Sequence, residues 1–132
     1  MAAPEHRPSL AVGVELTLLT TAEGGRRNPI GGSEYPACSY RPNWGLPGMT
    51  PPEQTGAPVQ CFGHYPVMLG DAVRAVLIPM FPQEVPGWNE LRGGEILPMY
   101  EGSRVCGRAT VVWITEVARP LPESDAAGFA QW

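Results

Sequence analysis

Cys61 and His64 stand at a spacing that suits a metal ion, with two residues between them. Zinc is commonly bound by Cys and His at this spacing, and Cys38 or Cys106 could supply a further ligand. Structural zinc sites usually contain two such pairs, whereas this sequence contains one. We therefore favour a buried thiol and a loop histidine, and we predict no metal and no cofactor.

The same region also contains the side-chain types of a nucleophilic triad. His64 and Asp71 would form one with Ser39 or Cys61 as the nucleophile. No nucleophile-elbow spacing accompanies them, and a turn explains Gly70 followed by Asp71. The absence of lysine also excludes a Walker-type phosphate loop and Schiff-base chemistry. We predict that the protein is not an enzyme.

Three arginines, Arg26, Arg27 and Arg41, have the chemistry needed to grip phosphates. Guanidinium groups bind phosphate oxygens through charge-assisted, partly bidentate hydrogen bonds. In the alternative, Arg26 and Arg41 are structural and form ion pairs that tie loops to the fold. The candidate carboxylates are Glu23, Glu34 and Glu101. The net charge of −4 argues against strong non-specific nucleic-acid binding.

Aromatic side chains outside the predicted strands are candidates for contact with a partner. Trp44, Tyr65 and Trp88 lie in loop-like sequence and either form an exposed patch or plug one end of the fold. Phe129 and Trp132 are spaced like one helical turn and could dock in a partner's groove. The alternative for these two is a disordered tail.

The elements that position these residues are short strands. Residues 11–20 alternate between apolar and polar side chains, which predicts a half-buried strand with Val12, Val14, Leu16 and Leu18 inside. A turn at Gly24 and Gly25 follows, because paired glycines allow a sharp reversal. Further strands are predicted at residues 37–41, 59–62, 72–80, 95–100 and 104–116. On the last of these, the predicted core face is Val105, Gly107, Ala109, Val111 and Trp113.

Composition and length favour a single, loop-rich domain. The chain has 132 residues, 43% of them hydrophobic, with 16 glycines and 16 prolines. Prolines and glycines between residues 42 and 58 exclude regular structure over most of that segment. The six strands predict an all-β fold, a small closed antiparallel barrel, since closure removes exposed sheet edges. We expect a disordered segment at 1–9, the barrel at 10–117 and a flexible tail at 118–132.

The cysteines and the hydropathy pattern indicate a compartment. Three cysteines cannot all pair, and their spacing matches no disulfide framework, so reduced thiols are expected. No run of 18 apolar residues and no signal-peptide core is present. We predict a soluble cytoplasmic protein that does not bind a membrane.

Read together, four blocks resemble a known family. They are EGGRRNP at 23–29, YRPNW at 40–44, MLGD at 68–71 and EGSRVCG at 101–107. Their order and spacing are similar to those of the C-terminal β-barrel, domain III, of translation elongation factor Tu. The resemblance covers residues 11–117 and includes the turn glycines Gly24, Gly25, Gly102 and Gly107.

The resemblance implies a six-stranded antiparallel barrel that, in the full factor, follows a GTPase domain and a second barrel. There it helps hold the T-arm of aminoacyl-tRNA and contacts the nucleotide-exchange partner. We expect a free-standing copy without a nucleotide site, in which Arg27 and Asn43 lie near positions that the family uses on the T-arm. The chain departs from the pattern at Arg108, at Trp113 and in its longer segment between Pro29 and Tyr40.

Two hypotheses follow for the function. In the first, the protein is a non-catalytic binding module that engages a protein partner or mimics the factor, with Asn43, Trp44 and Trp88 among its contacts. In the second, it binds tRNA through the arginines at the barrel rim, Arg26, Arg27 and Arg41.

Overall fold

The computed structural model describes residues 7–27, 40–60, 67–119 and 121–132. Several candidate residues lie outside these ranges, namely Glu34, Cys38, Ser39, Cys61, His64 and Tyr65. The hypotheses of a zinc site and of a triad, which depend on them, stay untested predictions.

The described chain is mostly β-structure. The strands are β1 (Arg7–Leu18), β2 (Asn43–Trp44), β3 (Thr55–Gly56), β4 (Val59–Gln60), β5 (Ala72–Leu77), β6 (Ile96–Glu101) and β7 (Arg104–Arg119). Two short 3₁₀ helices span Thr21–Glu23 and Pro86–Glu90, and one α-helix, α1, spans Glu123–Ala130. The strands form one antiparallel sheet in the order β3-β2-β6-β7-β1-β5-β4. The prediction of a predominantly antiparallel β-fold is confirmed.

The predicted closed barrel of six strands is wrong in its strand count and closure, because the sheet is a half-barrel of seven strands. Its two edge strands, β3 and β4, are separated only by Ala57 and Pro58. Proline has no backbone N–H and so interrupts a ladder. Backbone hydrogen bonds continue the ladder of each edge strand up to this link: Ala57 N donates to Pro42 O at 3.4 Å beside β2, and Ile78 N donates to Pro58 O at 3.2 Å beside β5.

Strand β1 lies between β7 and β5 and forms one wall of the core. Its predicted inner residues, Val12, Val14, Leu16 and Leu18, are all fully buried, whereas Glu15 is exposed. The period-two pattern therefore predicted this strand correctly. The remaining core is supplied mainly by β5, β6, β7 and the two tryptophans Trp44 and Trp88.

The sheet extends beyond the predicted limits of the barrel at both ends of the chain. Strand β1 begins at Arg7, so residues 7–9, predicted to be disordered, belong to it, and Ser9 pairs with Val117. Strand β7 continues to Arg119. Near this end β1 and β7 have apolar side chains on both faces, some in the main core and some in a second cluster.

Two β-bulges in β7 break the predicted alternation. Cys106 is the extra residue opposite β6, and Val112 is the extra residue opposite β1. A bulge reverses the face on which the following side chains lie. Ala109 and Val111 are buried as predicted, but Val105 is exposed and Trp113 lies on the outer face. The predicted core face of this strand is therefore partly wrong.

The predicted flexible tail is also wrong, because α1 folds back onto the outer face of the sheet. The ring of Trp113 stacks on Phe129 and meets Trp132 edge-on, with centroids 5.2 Å apart in both pairs. Arg74 Nη1 donates to Trp132 O at 2.7 Å. The apolar residues of this second layer are Ala11, Val76, Ile78, Val117 and Leu121. Among the described residues, no helix is long and apolar enough to span a bilayer.

Candidate functional site

The glycine-rich turn after β1 begins with a capping box. Glu23 N donates to Thr20 Oγ1 at 3.2 Å, and Thr20 N donates to Glu23 Oε1 at 2.9 Å. The hydrogen bond from the Thr20 backbone, followed by that from its hydroxyl, lowers the pKa of Glu23. The turn is thus fixed locally, by its own side chains, before it contacts the rest of the sheet.

The four predicted turn glycines meet two different requirements. Gly24 and Gly102 have positive φ, 90° and 63°, which L-residues with side chains rarely adopt. Gly25 and Gly107 instead have no room for a side chain: a Cβ would lie 2.3 Å from Leu19 O in the first and 2.9 Å from Thr17 O in the second. The turn therefore returns close to the end of β1.

Arg26 leads from this turn into a part-buried cluster. Its Nη1 forms an ion pair with Glu101 Oε2, and its guanidinium carbon lies 4.9 Å from the centre of the Tyr40 ring. Tyr40 Oη donates to the same Glu101 oxygen at 3.1 Å. Burial raises the pKa of Tyr40, which keeps the phenol protonated as a donor. Arg26 therefore fits the alternative in which it forms an ion pair that ties a loop to the fold, here with Glu101.

Cys106 lies beneath this cluster and is fully buried. Its Sγ lies 3.6 Å from Met99 O and 3.9 Å from Tyr40 Oη. Burial, and then the negative charge of Glu101, raises the pKa of the thiol. A protonated, enclosed thiol is a packing group, because the thiolate is the reactive form.

The other predicted contact residues on this side are exposed. Arg27 follows Arg26 and Arg41 follows Tyr40, so the contact between Arg26 and Tyr40 brings the two exposed arginines to the same end of the sheet. Asn43, also exposed, begins β2. Two more exposed arginines, Arg104 and Arg108, lie on β7 at this end, and we call Arg27, Arg41, Arg104 and Arg108 the arginine end.

Trp44 and Trp88 do not lie on the surface. Both are fully buried: Trp44 Nε1 donates to Ala57 O at 3.0 Å, and Trp88 Nε1 donates to Thr55 Oγ1 at 3.4 Å. The expectation that they form an exposed contact patch is wrong. The alternative was that they plug one end of the fold; both lie in the core, Trp44 on β2 and Trp88 on the 3₁₀ helix Pro86–Glu90.

Sequence reasoning missed an apolar surface on the hairpin of β6 and β7. Ile96 is 60% exposed, Val112 is 51% exposed and Val105 is 38% exposed, and the half-buried Pro98 and Tyr100 alternate with Ile96 along β6. We call these five residues the apolar strip. The residues of the strip on β6 alternate with the buried Leu97 and Met99, so the sequence pattern could have predicted them. The residues on β7 could not be predicted, because the bulges change which side chains of that strand are exposed.

A groove of about 290 Å³ adjoins the apolar strip. One side is formed by Ile96, Pro98 and Tyr100, and the other by the loop after β2, with Leu46 and Met49. Met49 N donates to Leu46 O at 3.0 Å, which shapes that loop into a turn. The groove is therefore mostly apolar and opens directly onto the strip.

The described part of the chain contains no group of three or more His, Cys, Asp or Glu side chains that could hold a metal ion. The sequence matches no protein-family model, and none of the curated proteins matches it.

Proposed function

We propose that this protein is a non-catalytic binding module that engages a protein partner through the apolar strip and its groove. The observation that carries the proposal is the exposure of Ile96, Val105 and Val112 on one hairpin. Single exposed apolar residues are ordinary on protein surfaces, whereas several on one hairpin beside a groove are typical of interaction sites. Val105 is the register partner of Tyr100, which continues the apolar side chains of β6 onto β7. The partner that fits offers an apolar side chain to the groove and a flat apolar surface to the strip.

The reactive side chains clustered around Arg26 favour binding over catalysis at the groove. Tyr40, Cys106 and Glu101 are engaged with one another and with Arg26, and none faces the groove. The groove is lined by backbone, prolines, apolar side chains and Tyr100, with Glu53 as the charged member among the described residues. Such a surface provides shape and desolvation, which are the main contributions to an interface.

The resemblance to domain III of elongation factor Tu supports the same proposal, since that domain works by contacts rather than by chemistry. The buried free thiol of Cys106 fits a reducing cytoplasm.

The double substitution Ile96→Thr with Val112→Thr should abolish capture of the partner while leaving the fold intact. Threonine keeps the β-branched shape but adds a hydroxyl that must be desolvated on binding. Because both side chains are exposed, unfolding free energy should change by less than about 0.5 kcal/mol each. The measurement is quantitative capture from cell extract on immobilised wild type and variant.

Met68→Thr is the matched control, because Met68 is 48% exposed but lies outside the apolar strip. Proteins that depend on the strip are retained by wild type and by the control but lost with the double variant. If every captured protein is retained equally by all three, the strip is not the binding surface.

A second candidate function, contact with tRNA, is favoured by the exposure of Arg27 and Arg41 beside Asn43. Under this alternative, Arg27→Ala with Arg41→Ala should weaken tRNA binding and reduce the slope of log K against log salt by about 2, one for each phosphate contact. Arg92→Ala is the control, because Arg92 is an exposed arginine in the turn before β6. An electrophoretic or fluorescence titration at several salt concentrations measures both. Absence of binding at low salt would end this alternative.

A further inference from the structure

A second cavity lies at the opposite end of β1 from the arginine end. It measures about 370 Å³ and is lined by Pro8, Leu10, Pro82, Gln83, Asn89 and Glu116, with Ser9 between the first two. Leu10 and Glu116 are register partners in β1 and β7, so they lie on the same face of the sheet. We call this cavity the Glu116 pocket.

The outer wall of the Glu116 pocket is the segment 81–90, which is fixed to the core by the buried side chain of Trp88. Residues 81–85 form a turn in which Val85 N donates to Phe81 O at 3.1 Å, and a 3₁₀ helix follows at Pro86–Glu90. Trp88 of that helix is fully buried. Gln83 Nε2 then donates to Pro8 O at 2.8 Å, which joins the loop to the start of β1.

Most polar side chains of the pocket offer acceptors, and the hydroxyl of Ser9, buried without a hydrogen-bond partner among the described residues, can accept as well as donate. The amide nitrogen of Gln83 donates to Pro8 O, and Asn89 Nδ2 donates to Pro82 O at 3.3 Å. Each amide therefore turns its oxygen away from that backbone contact. Glu116 adds a carboxylate and is the one charged residue among the described residues that line the pocket. Pro8, Leu10 and Pro82 give the walls an apolar surface.

We propose that the Glu116 pocket binds an organic cation, a primary ammonium or a guanidinium on a short aliphatic stem. The carboxylate and the two amide oxygens would accept hydrogen bonds from the cationic N–H groups, and such charge-assisted bonds are stronger than neutral ones. The proline and leucine walls would cover the methylene stem, as they do for buried lysine and arginine stems. A volume of about 370 Å³ falls within the range of small-ligand sites.

The test is a titration of the ¹⁵N-labelled protein with n-butylammonium and with n-butylguanidinium at constant ionic strength, followed by NMR. We expect saturable shifts at the amides of Leu10, Gln83, Asn89 and Glu116, with a dissociation constant in the millimolar range. The neutral isostere n-butanol should produce no saturable shift. If neither cation gives saturable shifts at these amides, or if n-butanol gives equal ones, the proposal is overturned.

Glu116→Gln should weaken binding at least fivefold, while Glu90→Gln, an exposed acid outside the pocket, should leave it unchanged. If Glu116→Gln does not fold, Asn89→Leu removes an acceptor with little change in volume and should also weaken binding. Equal affinity for the folded pocket variant and wild type would contradict the proposal.

A comparison of ligands separates the two sources of the cation. A short peptide with one lysine, set against the same peptide with norleucine, tests a protein side chain, and n-butylammonium tests a free amine. Tighter binding of the lysine peptide than of the amine assigns the pocket to a partner's side chain, and the reverse assigns it to a small molecule. The Glu116 pocket shares no lining residue with the groove beside the apolar strip, so either proposal can fail without the other.

Discussion

Gly13→Ala should lower the free energy of unfolding by about 3 kcal/mol and loosen helix α1 from the sheet. A Cβ at Gly13 would lie 2.1 Å from Trp113 Cε2 and 2.4 Å from Nε1, so the indole cannot stay where it is. The ring cannot simply rotate away, because Phe129 stacks on it and Trp132 meets its edge. Overpacking of this kind typically costs 1–3 kcal/mol, and lost aromatic pairs add about 0.5–1.5 kcal/mol each.

Urea unfolding followed by tryptophan fluorescence measures the loss, and near-ultraviolet circular dichroism reports the displaced indole. Gly128→Ala is the control: it lies in α1, its Cβ would meet nothing within 4 Å, and alanine should stabilise the helix by about 0.5–1 kcal/mol. The double variant Gly13→Ala with Trp113→Ala should lose less stability than the sum of the two single changes, because the clash is gone. A strictly additive result would mean that Trp113 does not cover Gly13.

The position of Trp113 shows why the sequence predicts some elements and not others. Strand β1 is regular, and its alternation alone identified its buried face. Strand β7 contains two extra residues, Cys106 and Val112, and each shifts the register of everything that follows. A bulge depends on what the partner strand offers, which a single strand's sequence does not contain. The bulge at Val112 places Trp113 on the outer face of the sheet. The apolar layer between the sheet and α1 follows from that position.

The candidate sites were predictable to a similar, limited extent. The ion pair between Arg26 and Glu101 was one of the alternatives, because a glycine turn and a hairpin turn at the same sheet end can meet. The burial of Trp44 and Trp88 was not decided by the sequence, since an aromatic residue in a proline-rich loop serves equally well outside or inside. The Glu116 pocket is lined by residues from three segments that are far apart in the sequence, at 8–10, 82–89 and 116, so no local sequence pattern predicts it.

Trp44→Ala should destabilise the fold by about 3–5 kcal/mol, the usual cost of removing a large buried aromatic side chain. Trp44 is fully buried, and its loss would also leave Ala57 O without the indole donor. Domains of this size have about 5–15 kcal/mol in total, so roughly a fifth or more of the stability would be lost. Strand β2 has only two residues and pairs with both β3 and β6. The buried side chain of Trp44 is therefore needed to keep β3 and β6 paired through β2.

The same substitution should weaken partner capture although the side chain of Trp44 is fully buried. Trp44 pairs with Met99 and Asn43 pairs with Tyr100, so loss of β2 displaces both the groove and part of the apolar strip. Asn43→Ala, an exposed neighbour, should change the unfolding free energy by less than about 0.5 kcal/mol and keep the groove. Denaturant titration measures the stability of both variants, and capture at low temperature measures their binding. We expect both quantities to fall for Trp44→Ala and neither to fall for Asn43→Ala. A loss below about 1 kcal/mol for Trp44→Ala would contradict the buried position of the indole, whereas full capture by an unfolded variant would show that the groove is not the binding surface.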